Sequence, residues 1–438
     1  MQRTWYKPLP AADLLIRRGR VIDPADGGDA VRDVLVKKGR IAEVGEGLTA
    51  PKRVRVVDAH DMLVLPGFVD LHAHFRTPGR EDEEDLASAS AAAAAGGYVA
   101  AFGMANTDPV VDNAGLLKGL ADQAVVEAVV PLGFFAAVTK GLQGEELTEM
   151  GELGAAGAVG FSDDGRPLPT AAITRRALQY VKVSGRFVAV HAQDDSLFKG
   201  GQMHESPVSA RLGLTGIPDL CESLDVARTL DIAAYEDADV HLCHVSTARS
   251  LEAIARAKAA GVRVTAEATP HHLTLTDRRL DTLDPNLKMN PPLRAETDRT
   301  ALVEALASGL VDCVATDHAP HASEAKEVPY EEAPFGCIGL ETAFSVLHSG
   351  LVETGALDLA TLVTRMSTAP ARIAGLVPPA LAAGAPADLC VFDPATTWRV
   401  APETLQSRSS NSPWLGQELR GRVRLTVAAG RIAWDDLA

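Results

Sequence analysis

The sequence predicts an α/β fold, a (β/α)8 TIM barrel carrying a small β-sandwich domain formed from both termini. Three observations lead there. Over roughly 300 residues of the middle of the chain, short apolar runs of four to seven residues alternate with longer Ala- and Leu-rich segments of helical period. The runs are apolar almost throughout, as strands buried on both faces of a parallel sheet must be. Imidazoles and carboxylates stand at the carboxyl ends of several runs, on the face where barrels of this kind collect catalytic groups.

The ends of the chain have a different texture. LLIRRGRVIDPADGG and VLVKKGRIAEVG, between residues 14 and 64, are β-like pieces separated by turn residues, and the pattern returns late as ADLCVFDP and VRLTVAAGRIAWDD. Both ends carry Gly-Arg followed by Val or Ile, at Gly19, Gly39 and Gly430, and neither holds a long helical period. Residues 1–65 and 376–438 are therefore expected to pack together as one small domain around a barrel over 66–375. The barrel strands are read at 68–71, 98–103, 129–135, 158–161, 187–190, 240–243, 262–266 and 311–315, the seventh interrupted by Arg263. A doubly wound open sheet is the alternative. No Gly-x-Gly-x-x-Gly follows an early strand to support it.

At 438 residues the chain is long enough for a barrel plus a smaller companion. Lys and Arg total 42 against 58 Asp and Glu, a formal charge of −16, which argues against nucleic acid or an anionic membrane as the main partner. Residues 86–107 carry no charge, but they are mostly weakly apolar Ala, Ser and Gly, broken by Gly96-Gly97; a helix followed by a strand is expected, not a membrane span. Five cysteines, Cys221, Cys243, Cys313, Cys337 and Cys390, are scattered and never form Cys-x-x-Cys, so they read as buried thiols in a reducing compartment. The amino terminus lacks an apolar core of signal-peptide length. A cytoplasmic location is expected.

Run one ends in His72-Ala73-His74, run four in Asp163-Asp164-Gly165, run five in His191, run six in His244 and run eight in Asp317-His318. Side chains two apart on a strand share a face, so His72 and His74 can reach one ion. Imidazole and carboxylate ligands without thiolate suit zinc or a related divalent ion in a catalytic site. His72, His74 and Asp317 on one side, with His191 and His244 on the other, read as a binuclear centre. Two neighbouring cations repel, so an anionic bridge is needed, and either Asp163 or Asp164 can supply it. A pair of such ions lowers the pKa of a shared water to roughly 7, and the chemistry implied is attack on a carbonyl-type carbon with Asp317 carrying the proton to the leaving atom. Hydrolysis of an amide or ester is the class.

VDLHAHFRTPG (69–79), MANTDP (104–109), FSDDG (161–165), LCHVST (242–247), KMNPPLR (288–294), ATDHAPH (315–321), PFGCIGLET (334–342) and NSPWLGQELRGRV (411–423) together resemble the dihydroorotases, and more narrowly the long bacterial type within the amidohydrolase superfamily. The likeness spans nearly the whole chain. It implies reversible, metal-dependent cyclisation of N-carbamoyl-L-aspartate to L-dihydroorotate in pyrimidine synthesis. It assigns His72, His74 and Asp317 to one zinc ion, His191 and His244 to a second, Asp164 to the bridge and Asp317 to acid/base catalysis. It also assigns Arg76, Asn106, Asn290 and His321 to holding the substrate, chiefly its carboxylate, with His321 alternatively supporting a ligand. Pro334, Phe335 and Gly336 match a loop that contacts the ring through backbone groups. Phe75, Thr77, Ala105 and Cys337 depart from the usual wording of these motifs without removing a ligand. His271 and His272 are read as packing residues.

The resemblance further implies a homo-oligomer, a dimer being favoured, and association of some members with aspartate transcarbamoylase. Two other functions are weighed: a hydantoinase- or allantoinase-like cyclic amidohydrolase, and a non-catalytic scaffold for the transcarbamoylase. The first usually carries a carboxylated lysine where this chain has Asp164. The second is expected to have lost ligands that this chain retains.

Overall fold

A computed structural model describes residues 3–25 and 27–437; Met1, Gln2, Asp26 and Ala438, which fall within the two end segments, lie outside the described residues. The first strands are β1 (Leu14–Asp23), β2 (Gly28–Lys37), β3 (Arg40–Gly45), β4 (Arg55–Asp58) and β5 (Leu63–Pro66). The middle supplies β6 (Phe68–Ala73), β7 (Tyr98–Gly103), β8 (Leu132–Phe134), β9 (Val188–Val190), the short pair β10 (Met203–His204) and β11 (Gly216–Ile217), then β12 (Val240–Leu242), β13 (Val264–Ala268) and β14 (Cys313–Val314). The last are β15 (Leu389–Arg399), β16 (Glu418–Ala428) and β17 (Arg431–Asp435).

The two ends of the chain share one sheet, in the order β17-β16-β15-β5-β1-β2-β3 with β4 also on β1. β15 lies antiparallel to β5, Cys390 opposite Leu65. Val34, Val36, Ile41, Val391, Leu425 and Val427 form part of a separate apolar cluster on this sheet. Its tightest meeting point is the one marked by the repeated Gly-Arg turns. Gly39 and Gly430 both hold φ of 72°, and a Cβ on Gly39 would sit 2.7 Å from the Gly430 carbonyl oxygen. Only glycine adopts that backbone cheaply and leaves that space.

In the middle of the chain every strand of the two larger sheets runs parallel. β6, β7 and β8 form one sheet, and β9, β12, β13 and β14 another. Phe161 joins them through single parallel bridges to Ala136 and Val188, and a further bridge links Ala73 to His318 beyond β14. Helices fill the connections. Leu86–Ala95 begins at Asp85, whose carboxylate accepts the Ser88 N–H while Ser88 Oγ accepts the Asp85 N–H, a reciprocal cap. Its alanines at 89, 92 and 93 are buried, and it packs close against β7 and β16 because it carries little side-chain bulk. The uncharged stretch 86–107 is thus a helix and a strand, and among the described residues no helix is long and apolar enough to cross a membrane.

Two strand expectations need correction. Run 158–161 forms no strand, only the bridges of Phe161, because the Asp163 carboxylate takes the Val138 and Thr139 N–H groups and the chain turns at Gly165. Run 262–266 is displaced: β13 occupies Val264–Ala268, while Arg263 is drawn outward to Asp237 and Asp239.

Candidate metal centre and substrate cavity

Six side chains expected to meet do meet. His72 and His74 come from the end of β6, His191 and His244 follow β9 and β12, Asp164 follows the bridged segment at Phe161, and Asp317 follows β14. Asp164 Oδ1 lies 3.3 Å from His72 Nε2, 3.5 Å from His244 Nε2 and 3.6 Å from His191 Nδ1, and its Oδ2 lies 3.5 Å from His74 Nε2. Asp317 Oδ1 is 3.1 Å from His74 Nε2 and 3.5 Å from His72 Nε2. The His72 and His244 rings are 5.2 Å apart, centroid to centroid. All six residues are buried. His244 and Asp317 hold positive φ, 32° and 49°, a strained conformation for side-chain-bearing residues that is concentrated at functional sites.

The donor set fits divalent cations. His72 Nε2 and Asp164 Oδ1 are buried without a hydrogen-bond partner, which is costly unless something else binds them. His72 Nδ1 donates to Glu267 Oε1 at 2.7 Å and His74 Nδ1 to Asn106 Oδ1 at 2.9 Å, so each ring turns an Nε2 lone pair toward the carboxylates. The groups His72, His74, Asp317 and His72, Asp164, His244 each bring ligand-type atoms within 4.8 Å of one another. Burial alone would raise Asp164 and Asp317. When the rings are protonated, their positive charge outweighs it, His72 foremost, and holds both carboxyls well below the usual range.

Beside this cluster opens a cavity of about 310 Å³, lined by His74, Arg76, Arg80, Asn106, Asp164, Gly165, His191, Gln193, Phe198, His244, Asn290, Asp317, Ala319, His321, Phe335 and Gly336. A larger cavity of about 510 Å³ lies between the chain ends and contains none of the six cluster residues. Of the expected substrate residues, Arg76, Asn106, Asn290, His321, Phe335 and Gly336 reach the smaller cavity, and Pro334 does not. Arg76 Nε is spent on the Pro320 carbonyl at 3.0 Å, with Glu83 Oε2 3.2 Å away. Asn106 is engaged at both ends, its Nδ2 donating to the Asp164 carbonyl at 3.2 Å, and Asn290 Nδ2 donates to Gln193 Oε1 at 2.8 Å. His321 Nε2 donates to the Phe335 carbonyl at 2.8 Å, so this ring supports the loop.

The pair Asp163-Asp164 divides by environment. Asp163 is occupied by the Val138 and Thr139 backbone, leaving Asp164 alone to face the four imidazoles. His272 donates to the Pro291 carbonyl at 2.9 Å, His271 Nε2 is buried without a hydrogen-bond partner, and neither ring lines the cavity. All five cysteines are free and buried.

Sequence reasoning missed Glu267, near the end of β13. It receives His72 on one oxygen and His241 Nε2 on the other at 3.0 Å, and His241 Nδ1 in turn meets Thr265 Oγ1 at 2.8 Å. Burial works against its charge, but His72 and His241 prevail and hold it at about 2. The signal lay in a carboxylate two residues past Thr265 in an otherwise apolar run.

Solved structures of similar fold include hydantoinases and dihydropyrimidinases. L-hydantoinase (dihydropyrimidinase) from Arthrobacter aurescens matches with a TM-score of 0.87 at 24% identity, covering 97% of this chain and 96% of that one. A dihydropyrimidinase from Brevibacillus agri NCHU1002 gives 0.83 at 24%, over 97% and 95%. The chain shares the fold of these structures. The dihydro-orotase-like family model matches residues 61–250. Dihydroorotases from Geobacter sp. (strain M21) and Anaeromyxobacter dehalogenans (strain 2CP-1) are 45% and 46% identical over 422 and 428 residues, 96% and 97% of this chain and 99% and 98% of theirs. The chain belongs to the dihydroorotase family and is a cyclic amidohydrolase.

Proposed function

We propose that this chain reversibly cyclises N-carbamoyl-L-aspartate to L-dihydroorotate, with the six clustered residues as its metal centre and the adjoining cavity as its substrate site. The observation that carries the reading is the convergence of four imidazoles on one buried carboxylate, Asp164, at the edge of a cavity that also holds Arg76, Asn290 and Asp317. His72, His74 and Asp317 would hold one zinc ion, His191 and His244 a second, and Asp164 would bridge them. Bound divalent cations supply Lewis acidity to the scissile carbonyl and acidify water.

Asp317 is ionised at neutral pH because the imidazoles outweigh its burial, so it is ready to take a proton. Its Oδ1 faces His74; the carboxylate takes a proton from the attacking water and passes it to the departing ring nitrogen, and in ring closure it takes that proton back from the nitrogen. Arg76 fixes the substrate carboxylate through its terminal nitrogens, a planar fork that lysine lacks. Its charge also matters because the whole chain is at −16 and the substrate is an anion, while distant carboxylates are screened within about 8 to 10 Å.

The same proposal gives the architecture. Residues 66–375 form a closed (β/α)8 barrel, supported by parallel pairing that passes from β6 through Phe161 to β14 and returns by the Ala73 to His318 bridge. Residues 1–65 and 376–438 form the β-sandwich domain, supported by their shared sheet and separate apolar cluster. The test is turnover of dihydroorotate against hydantoin by the purified protein, with metal content measured on the same sample. Dihydroorotate turnover with about two zinc ions per chain is expected. Preference for hydantoin, or full activity without metal, overturns the reading.

A further inference from the structure

The loop at residues 334–336, whose Phe335 and Gly336 line the cavity, is held by two buried lysines that have carbonyl oxygens, not carboxylates, as hydrogen-bond partners. Lys288 and Lys326 are 2% and 7% exposed. Lys326 Nζ donates to the Pro334 carbonyl at 2.7 Å and to the Pro285 carbonyl at 3.0 Å. Lys288 Nζ donates to the carbonyls of Tyr330 and Glu331 at 2.8 and 2.9 Å and lies 4.9 Å from the centre of the Phe335 ring, a cation over an aromatic face. The Lys288 carbonyl accepts the Gly336 N–H at 2.9 Å.

Around these lysines no carbonyl of the loop is left loose. Pro334 is taken by Lys326, Phe335 by His321 Nε2, and Gly336 by Asn411 Nδ2 at 3.2 Å. Gly336 has φ of 127°, and a Cβ there would come within 2.8 Å of the Ala319 Cβ, so the turn accepts no other residue without displacing its neighbours. Burying two ammonium groups without counter-ions is unfavourable, and burial lowers the affinity of both for their protons. A neutral side chain would fill the same space at less cost. What the charge adds is strong, directional hydrogen bonds to several carbonyls at once, one at Pro334 itself, two at Tyr330 and Glu331 just before it and one at Pro285, which tie the loop to its surroundings.

We propose that Lys288 and Lys326 are positioning residues that preform residues 334–336 for the substrate, so that the cavity wall is in place before the substrate enters. The inference rests on the reading of this cavity as the substrate site. Preforming a loop removes an ordering cost from binding, so the lysines act on substrate affinity and leave the metal centre and the proton carrier untouched.

The experiment compares Lys326→Met and Lys288→Met with the wild type for steady-state kinetics on dihydroorotate, zinc content and amide hydrogen exchange across residues 330–337. In each folded variant KM is expected to rise about tenfold or more, with kcat within about twofold, zinc content unchanged and exchange faster in that segment. Should Lys288→Met fail to fold, Lys326→Met decides alone. Unchanged KM and exchange overturn the proposal, as does a kcat loss that tracks lost zinc. A wild type without dihydroorotate turnover sinks the reading of the cavity and the clasp with it, whereas normal wild-type turnover with unaltered variants sinks the clasp alone.

Discussion

The strand-end cluster and the loop at 334–336 face the same cavity, yet they are built by opposite means. In the cluster, His72 Nε2 and Asp164 Oδ1 are buried and unpaired, so its polar atoms are incomplete as the protein folds. In the loop, the carbonyls of Pro334, Phe335 and Gly336 are all satisfied by side chains. One region is finished by what binds to it, the other by the protein alone. The contrast shows that one cavity can join polar atoms left open for a ligand to a wall whose polar atoms the protein itself satisfies.

The comparison breaks most readily at the cluster. Asp317→Asn keeps the volume and removes the proposed proton carrier; kcat is expected to fall by about 10³ or more in steady-state assays while the circular dichroism spectrum is retained. Glu267→Gln loosens the His72 ring that it orients; affinity of the proposed centre for a divalent metal, read by chelator competition, should weaken roughly 10- to 100-fold. Arg76→Lys sits between the two regions and loses the fork; KM should rise about tenfold at nearly constant kcat, and an unchanged KM would count against the clamp.

The smallest effect belongs to the support behind the loop. Glu341 accepts the N–H groups of Gln406 and Ser407, which lead into Asn411, yet burial pushes its carboxyl up to about 8. The folded state therefore holds a proton that the unfolded chain releases near its ordinary value of 4.5, so stability is lost as pH rises from there to about 8. Glu341→Gln removes that dependence. The variant's melting temperature is expected to gain on the wild type from pH 5 to pH 8, and a constant difference would refute the assignment.

Much of this architecture was legible in the sequence because it depends on local pattern. Run 98–103 coincides with β7, and His72, His74, His191, His244 and Asp317 were found by standing just beyond apolar runs. What escaped notice depends on partners remote in sequence. The bounds of run 262–266 stopped one residue short of Glu267, whose importance comes from His72 and His241. Lys288 sits within a recognisable motif, but nothing local shows that its ammonium is buried among carbonyls and a phenyl ring. The choice between Asp163 and Asp164 likewise needed the resemblance, because neighbours in sequence differ here only in which backbone amides reach them.

The sheet shared by the two ends also sets an order of events during synthesis. β5 finds its neighbour in β15, and Arg55 pairs with Asp435 across almost the entire polypeptide. While the ribosome is still producing the middle of the chain, the edge of β5 therefore stays bare, open to unwanted pairing with other nascent chains. A truncation that removes only the final strands would make that temporary exposure permanent, even though every residue of the His and Asp cluster had already been made.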